Sequence, residues 1–143
     1  MKNVAKALAK RGIAVVPLFS TSGATCSCKL GASCPSPGKH PAVAGGWKGA
    51  TKDLAEIDRM FSRTRNLAIA CGQPSTGLIV LDVDPRNGGD QTLLSLIQQH
   101  GKLPPTAIVQ TGGGGWHFWF KDIQGLVPRT VKVGPGIELL STG

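Results

Sequence analysis

Asp82 and Asp84 close the apolar run "GLIVLDVDP", residues 77–85, in a chain with 16 Lys and Arg but only 8 Asp and Glu. Residues two apart on a strand share a face, with alpha carbons about 6.5 Å apart, so both carboxylates can converge on one cation. Like charges on a half-buried face repel and lose hydration unless positive charge compensates them. Mg²⁺ or Mn²⁺ meets that need, because hard divalent ions take carboxylate oxygens and keep positions for phosphate. The plain alternative is a strand end, in which Asp84-Pro85 and Asn87-Gly88-Gly89 simply turn the chain.

Two other groups carry chemistry. Cys26, Cys28, Cys34 and His40 offer three thiols and one imidazole within fifteen residues, enough for a tetrahedral zinc site. A disulfide there would leave an odd cysteine. Cys71, in an apolar strand, reads as a small buried hydrophobe. In "TGGGGWHFWF", residues 111–120, alternation puts His117 and Trp119 on one face and Trp116, Phe118 and Phe120 on the other. Successive glycines suit a turn with unusual dihedrals or a close approach of backbone to ligand, and the N–H groups of Gly113, Gly114 and Gly115 can meet phosphate. A strand follows them where a helix is needed, so neither the dinucleotide-binding loop nor the P-loop fits. "SPGKH" also fails as a P-loop, with Ser33 and His40 at positions that require Gly and Ser or Thr. By itself, His117 among aromatics reads first as a satisfied core histidine.

The elements that must position these groups follow from periodicity. Residues 2–11 form an amphipathic helix with Val4, Ala5 and Leu8 inward, stopped by Gly12, and 13–19 form a strand. Residues 20–49 are too long for an ordinary connection, and are therefore functional or stapled. Asp53 caps a second helix with Glu56 as its capping-box partner, burying Leu54, Ile57 and Phe61. Residues 66–72 and 77–85 are buried strands, and Asp90 caps a third helix that Gly101 ends. Strands at 105–111, 116–120 and 136–140 follow. The order is βαββα and then a β-rich half, an α+β chain.

The formal net charge of +8 favours a polyanionic partner, nucleic acid or nucleotide. With 41% hydrophobic residues the chain can build a core. No stretch approaches the roughly 20 apolar residues that span a bilayer, and the N-terminus lacks a signal-peptide pattern. The expectation is a cytoplasmic protein without membrane partners.

These pieces occur in the same order in one known family. From "GIAVVPL" through "SPGKHP", "NLAIACG", "GLIVLDVDPRNGGD" and "LPPT" to "TGGGGWHFWF" and "GIEL", the sequence resembles the bifunctional DNA primase/polymerase (Prim-Pol) domain of the archaeo-eukaryotic primase superfamily. The resemblance covers nearly the whole chain. It implies one Prim-Pol domain over 1–143: a primase-like core with a mixed β-sheet, flanking helices and an RRM-like half, and a zinc-binding loop inserted at 20–49. Because the family pattern continues past the last strand, the domain is expected to be partial at its C-terminus.

By that resemblance Asp82 and Asp84 match the acidic metal-binding pair, Glu138 the third acid, and His117 the histidine on the phosphates of the incoming nucleotide. Gly115 stands where Ser is frequent, leaving backbone contact at that position. The implied reaction is template-directed nucleotidyl transfer with Mg²⁺ or Mn²⁺, zinc being structural. The implied partners are single-stranded DNA template and primer, dNTP or NTP, and a helicase domain or protein. Arg86, Lys48, Arg129 and Lys132 are candidates for phosphate contacts, and Trp47 and Trp119 for base stacking. Two rival classes share parts of the pattern. A haloacid-dehalogenase-like phosphatase also places D-x-D after an apolar strand, and a non-catalytic zinc-containing module would also bind nucleic acid.

Overall fold

Helix α1 (Lys2–Lys10) turns Ala5 and Ala9 inward, one helical turn apart, with Leu8 packed beside them, while Val4 lies out in solvent. The two small side chains, and not Val4, make the inner face because an i, i+4 alanine pair lets the helix lie close on its neighbours. The computed structural model describes residues 1–122, 124–125, 127 and 129–142. The chain divides into two compact units, Met1–Ala70 with Pro74–Thr76, and Cys71–Gln73 with Gly77–Thr142. Among the described residues no helix is long and apolar enough to cross a membrane.

In the N-terminal unit, strand β1 (Val15–Leu18) pairs antiparallel with β4 (Asn66–Ile69), and a short hairpin of β2 (Thr21–Ser22) and β3 (Thr25–Cys26) lies between them in sequence. All four residues of β1 are buried. Pro17 is tolerated there because the segment it faces, 41–51, touches β1 only through separate bridges at Thr51 and Pro41 and needs no donor from residue 17; the Pro17 carbonyl accepts the Ala42 N–H at 2.8 Å. Helix α2 (Leu54–Met60) buries Ile57 and is followed by buried Phe61, whereas Leu54 is exposed, contrary to the expected stripe. Asp53 caps it, accepting the Glu56 N–H at 2.8 Å. The reciprocal half of the capping box is absent, because the Asp53 N–H is taken by the Thr51 hydroxyl at 3.1 Å. Ala5, Ala9, Val15, Ile57 and Phe61 form the core. Burying a side chain such as Ile57 stabilises the fold by roughly 1.5–3 kcal/mol.

The C-terminal unit is a five-stranded sheet made from β5 (Leu78–Val83), β6 (Ala107–Gln110), β7 (Trp116–Lys121), β8 (Val131–Gly134) and β9 (Ile137–Leu140), in the order β6-β7-β5-β9-β8. Every pairing among the described strands is antiparallel, where a mixed sheet was expected. The reason is topological: after helix α3 (Gly89–His100) the chain returns as β6 parallel to β5, but β7 inserts between the two. Leu93 and Leu96 of α3 cover one sheet face, against Leu81, Val83, Ile137, Phe118, Phe120 and Leu139. The observed α3 starts earlier than its acidic residue suggests. Its cap is Gly88, in the left-handed region at φ 81°, and Asp90 lies in the first turn. Strand β8 was not anticipated from the sequence.

Candidate functional site

The apolar alternation that seats Leu81 and Val83 on α3 turns Asp82 to the opposite face. Asp82 stands directly opposite His117 on β7 and directly opposite Glu138 on β9. The three side chains therefore form one row across three adjacent strands, and directly opposed residues hold their beta carbons about 4.5–5.5 Å apart. His117 Nε2 lies 3.3 Å from Asp82 Oδ1, both side chains about one-third exposed. Glu138 is exposed. Lys132 is opposite Glu138 at the edge of the sheet and continues the row.

Asp84 lies one step beyond the strand end, and its main chain is fixed on both sides. Its N–H donates to the Gly136 carbonyl at 2.8 Å, and its carbonyl accepts the N–H groups of Gly89 at 3.0 Å and Asn87 at 3.1 Å. This crossing requires glycine. A Cβ at Gly89 would fall 2.4 Å from the Gly136 oxygen, and one at Gly136, which has φ +64°, would fall 2.4 Å from the Gly89 nitrogen. "RNGGD" and "PGI" are thus supports of the acidic pair. Sequence reasoning treated the first only as a turn, and the doubled glycine at a helix start was the signal that could have revealed it.

The Asp84 carboxylate is fully engaged. Arg86 Nε donates to Oδ1 at 2.9 Å and Nη2 to Oδ2 at 3.0 Å, joined by the Arg86 N–H on Oδ1 at 3.1 Å and Asn87 Nδ2 on Oδ2 at 2.8 Å. The Arg86 side chain holds this carboxyl below the usual range, and Asp84, with a contribution from Asp82, pushes the guanidinium up in turn.

The glycine turn beside His117 is built around Thr111. Gly114 N–H donates to the Thr111 carbonyl and Gly115 N–H to the Thr111 hydroxyl, each at 3.0 Å. Of the three glycines named for phosphate binding, only Gly113 keeps its N–H without an acceptor among the described residues. At Gly115 a Cβ would fall 2.5 Å from the Val83 carbonyl oxygen, which explains glycine in a position where serine was a possible alternative. Trp119, on the face of the acidic row, has its indole nitrogen buried without a partner, while Trp47 is exposed. Arg129 and Lys132 are exposed.

In the N-terminal unit Cys26, Cys28, Cys34 and His40 come together with their ligand atoms all within 4.8 Å of one another. His40 Nε2 is 3.6 Å from Cys26 Sγ and 3.4 Å from Cys34 Sγ. Such a Cys₃His set could bind zinc. Its ring is packed on Phe19, with centroids 4.8 Å apart, and its carbonyl accepts the Phe19 N–H at 3.1 Å. Burial opposes ionisation of Cys26, but hydrogen bonds from the backbone at Gly38 and Cys28 and from His40 outweigh it and bring the thiol down to about 6. Cys34 is held above the ordinary thiol range by burial and its neighbouring cysteines. Cys71, in the C-terminal unit, is buried, its thiol pushed up to about 11 by desolvation.

Oxygen donors in a sheet row, an imidazole beside them and a glycine turn are groups suited to metal and phosphate chemistry. The profile of the Prim-Pol family, bifunctional DNA primase/polymerase, N-terminal, matches residues 5–143, and the chain belongs to that family. Membership makes it a nucleotidyltransferase-type protein whose substrate classes are DNA and nucleotides. No curated protein matches the chain.

Proposed function

We propose that the chain catalyses template-directed nucleotidyl transfer as a DNA primase/polymerase, with Asp82, Asp84 and Glu138 as ligands of Mg²⁺ or Mn²⁺ and His117 on the phosphates of the incoming dNTP or NTP. The observation that carries this reading is the row of His117, Asp82 and Glu138 on adjacent strands, on the face that α3 leaves uncovered. The donor types suit a hard divalent ion, since all three acids offer carboxylate oxygens, and Asp84 already draws a cation, Arg86, to itself. When bound, the metal supplies activation of the attacking 3′-oxygen and neutralisation of the leaving pyrophosphate. His117 and the Gly113 N–H hold and orient the triphosphate, and Asp82 keeps the His117 ring in place through its contact at 3.3 Å. Zinc on Cys26, Cys28, Cys34 and His40 orders the loop over 20–49.

The purified protein, with Mg²⁺ or Mn²⁺ and a primed single-stranded template, is expected to incorporate labelled dNTP or NTP according to template sequence. Absence of templated incorporation, with trapping of a phosphoaspartate from an aryl phosphate, would overturn the reading.

The charge distribution supports a DNA grip on the N-terminal unit. That unit holds eleven Lys and Arg against three Asp and Glu, whereas the C-terminal unit holds five against five. The whole formal excess of +8 is therefore on the unit that lacks the acidic row. Binding of single-stranded DNA should weaken steeply with salt, by about tenfold or more between 50 and 200 mM. Lys48→Gln combined with Lys52→Gln, both exposed, should flatten the slope of log Kd against log salt by roughly one to two. An unchanged slope would show that DNA runs elsewhere.

A further inference from the structure

We propose that Arg86 is a latch on the acidic pair: it stands in for the divalent ion at Asp84, yields that carboxylate when the ion arrives, and passes to the triphosphate. The proposal rests on the reading of Asp82 and Asp84 as metal ligands. Two carboxylate oxygens offer about four lone-pair positions. At Asp84 all are used, by Nε and Nη2 of Arg86, the Arg86 N–H and Asn87 Nδ2, at 2.8–3.1 Å. A metal ion can reach Asp84 only by displacing some of these donors. The guanidinium is the one free to go, because the Arg86 side chain is 63% exposed and Asp84 is its only ion-pair partner among the described residues. An exposed ion pair of this kind is weak, and a dication between carboxylates outcompetes it.

Where the side chain goes next is indicated by its other neighbour. The guanidinium lies flat against Gly113, with Nη2, Cζ and Nη1 at 3.1, 3.2 and 3.3 Å from the place a Cβ would take. It is therefore already alongside the turn whose Gly113 N–H is unengaged and which leads into His117. A planar fork of five donors suits phosphate oxygens as well as it suits a carboxylate. Metal and nucleotide then help each other, since the ion frees Arg86 for the triphosphate and the triphosphate keeps Arg86 off Asp84.

The test pairs two affinities that should move in opposite directions. Mn²⁺ binding without nucleotide, followed by electron paramagnetic resonance of the free ion, should be about tenfold tighter in Arg86→Ala than in the wild type. Binding of dATP with saturating Ca²⁺ should be about tenfold weaker in the same variant. Mn²⁺ affinity unchanged or reduced in Arg86→Ala, with binding still lost in Asp82→Ala, overturns the latch and spares the metal-site reading. Undiminished Mn²⁺ binding in Asp82→Ala overturns both. Tighter Mn²⁺ with unaltered dATP affinity overturns the hand-over.

Discussion

Asp82→Ala and Asp84→Ala should each lower templated nucleotide incorporation by about 10³-fold or more, roughly 4 kcal/mol of transition-state stabilisation, while leaving the protein folded. The size follows from the proposed role: carboxylates that seat a metal act only through it, so losing one would misplace the group that neutralises the leaving pyrophosphate. Folding should survive for separate reasons. Asp82 is one-third exposed and its removal leaves the β5 ladder intact. Asp84 is anchored by main-chain bonds to Gly136 and Gly89, which alanine keeps. Glu138→Ala should cost less, about 10²-fold, because Glu138 is exposed and lies on the far side of Asp82 from His117. Steady-state incorporation alongside circular dichroism separates the two effects. Wild-type rates in the Asp82→Ala, Asp84→Ala double variant would show that these carboxylates do not seat the catalytic metal.

Replacing Cys34 with Ser, or stripping metal with a strong chelator, should release about one zinc per chain and open the loop to protease between residues 20 and 49. Structural zinc bound by such a set contributes on the order of 10 kcal/mol to ordering its ligands. Between residues 20 and 39 little else holds this segment. Its regular elements are a two-residue-per-strand hairpin and single turns of 3₁₀ helix at Gly31–Ser33 and Gly46–Gly49. Its buried apolar side chains include Cys26 and Cys34 themselves. The sheet of the C-terminal unit has its own core around Leu81, Val83 and Ile137 and should keep its protection. Limited proteolysis with zinc quantification checks both parts. Reduced protein purified with no zinc and a protease-resistant loop would refute the assignment.

The parts legible in the sequence were those written in local pattern. Apolar runs located β5 and β7, and alternation placed Asp82 and His117 on the face away from Phe118 and Phe120. Cysteine spacing alone located the cluster that the fold gathers. What local pattern does not encode was missed. Strand β8 has only four residues, three of them exposed, and so shows no buried alternation; it exists because β9 pairs with it. Asp90 has the chemistry of a cap, but the helix begins at Gly89 with Gly88 as its cap, and residue 89 must be glycine because a side chain there would collide with Gly136, nearly fifty residues later. Leu54 and Val4 satisfy helical spacing yet are exposed, since each helix buries a narrower stripe than its apolar residues permit. The Arg86 clamp depends on one side-chain conformation at a strand end, below the reach of any periodicity.

The hairpin of β8 and β9 carries Gly136, which fixes the Asp84 main chain, and Glu138, which completes the acidic row, only two residues apart. Both join strand β5 more than fifty residues after it has been made. A nascent chain on the ribosome therefore keeps Asp82 and Asp84 without their third acid and without their backbone brace until Ile137–Leu140 has emerged. Assembly of the acidic row is thus timed to the emergence of Ile137–Leu140, and it is completed by strand addition.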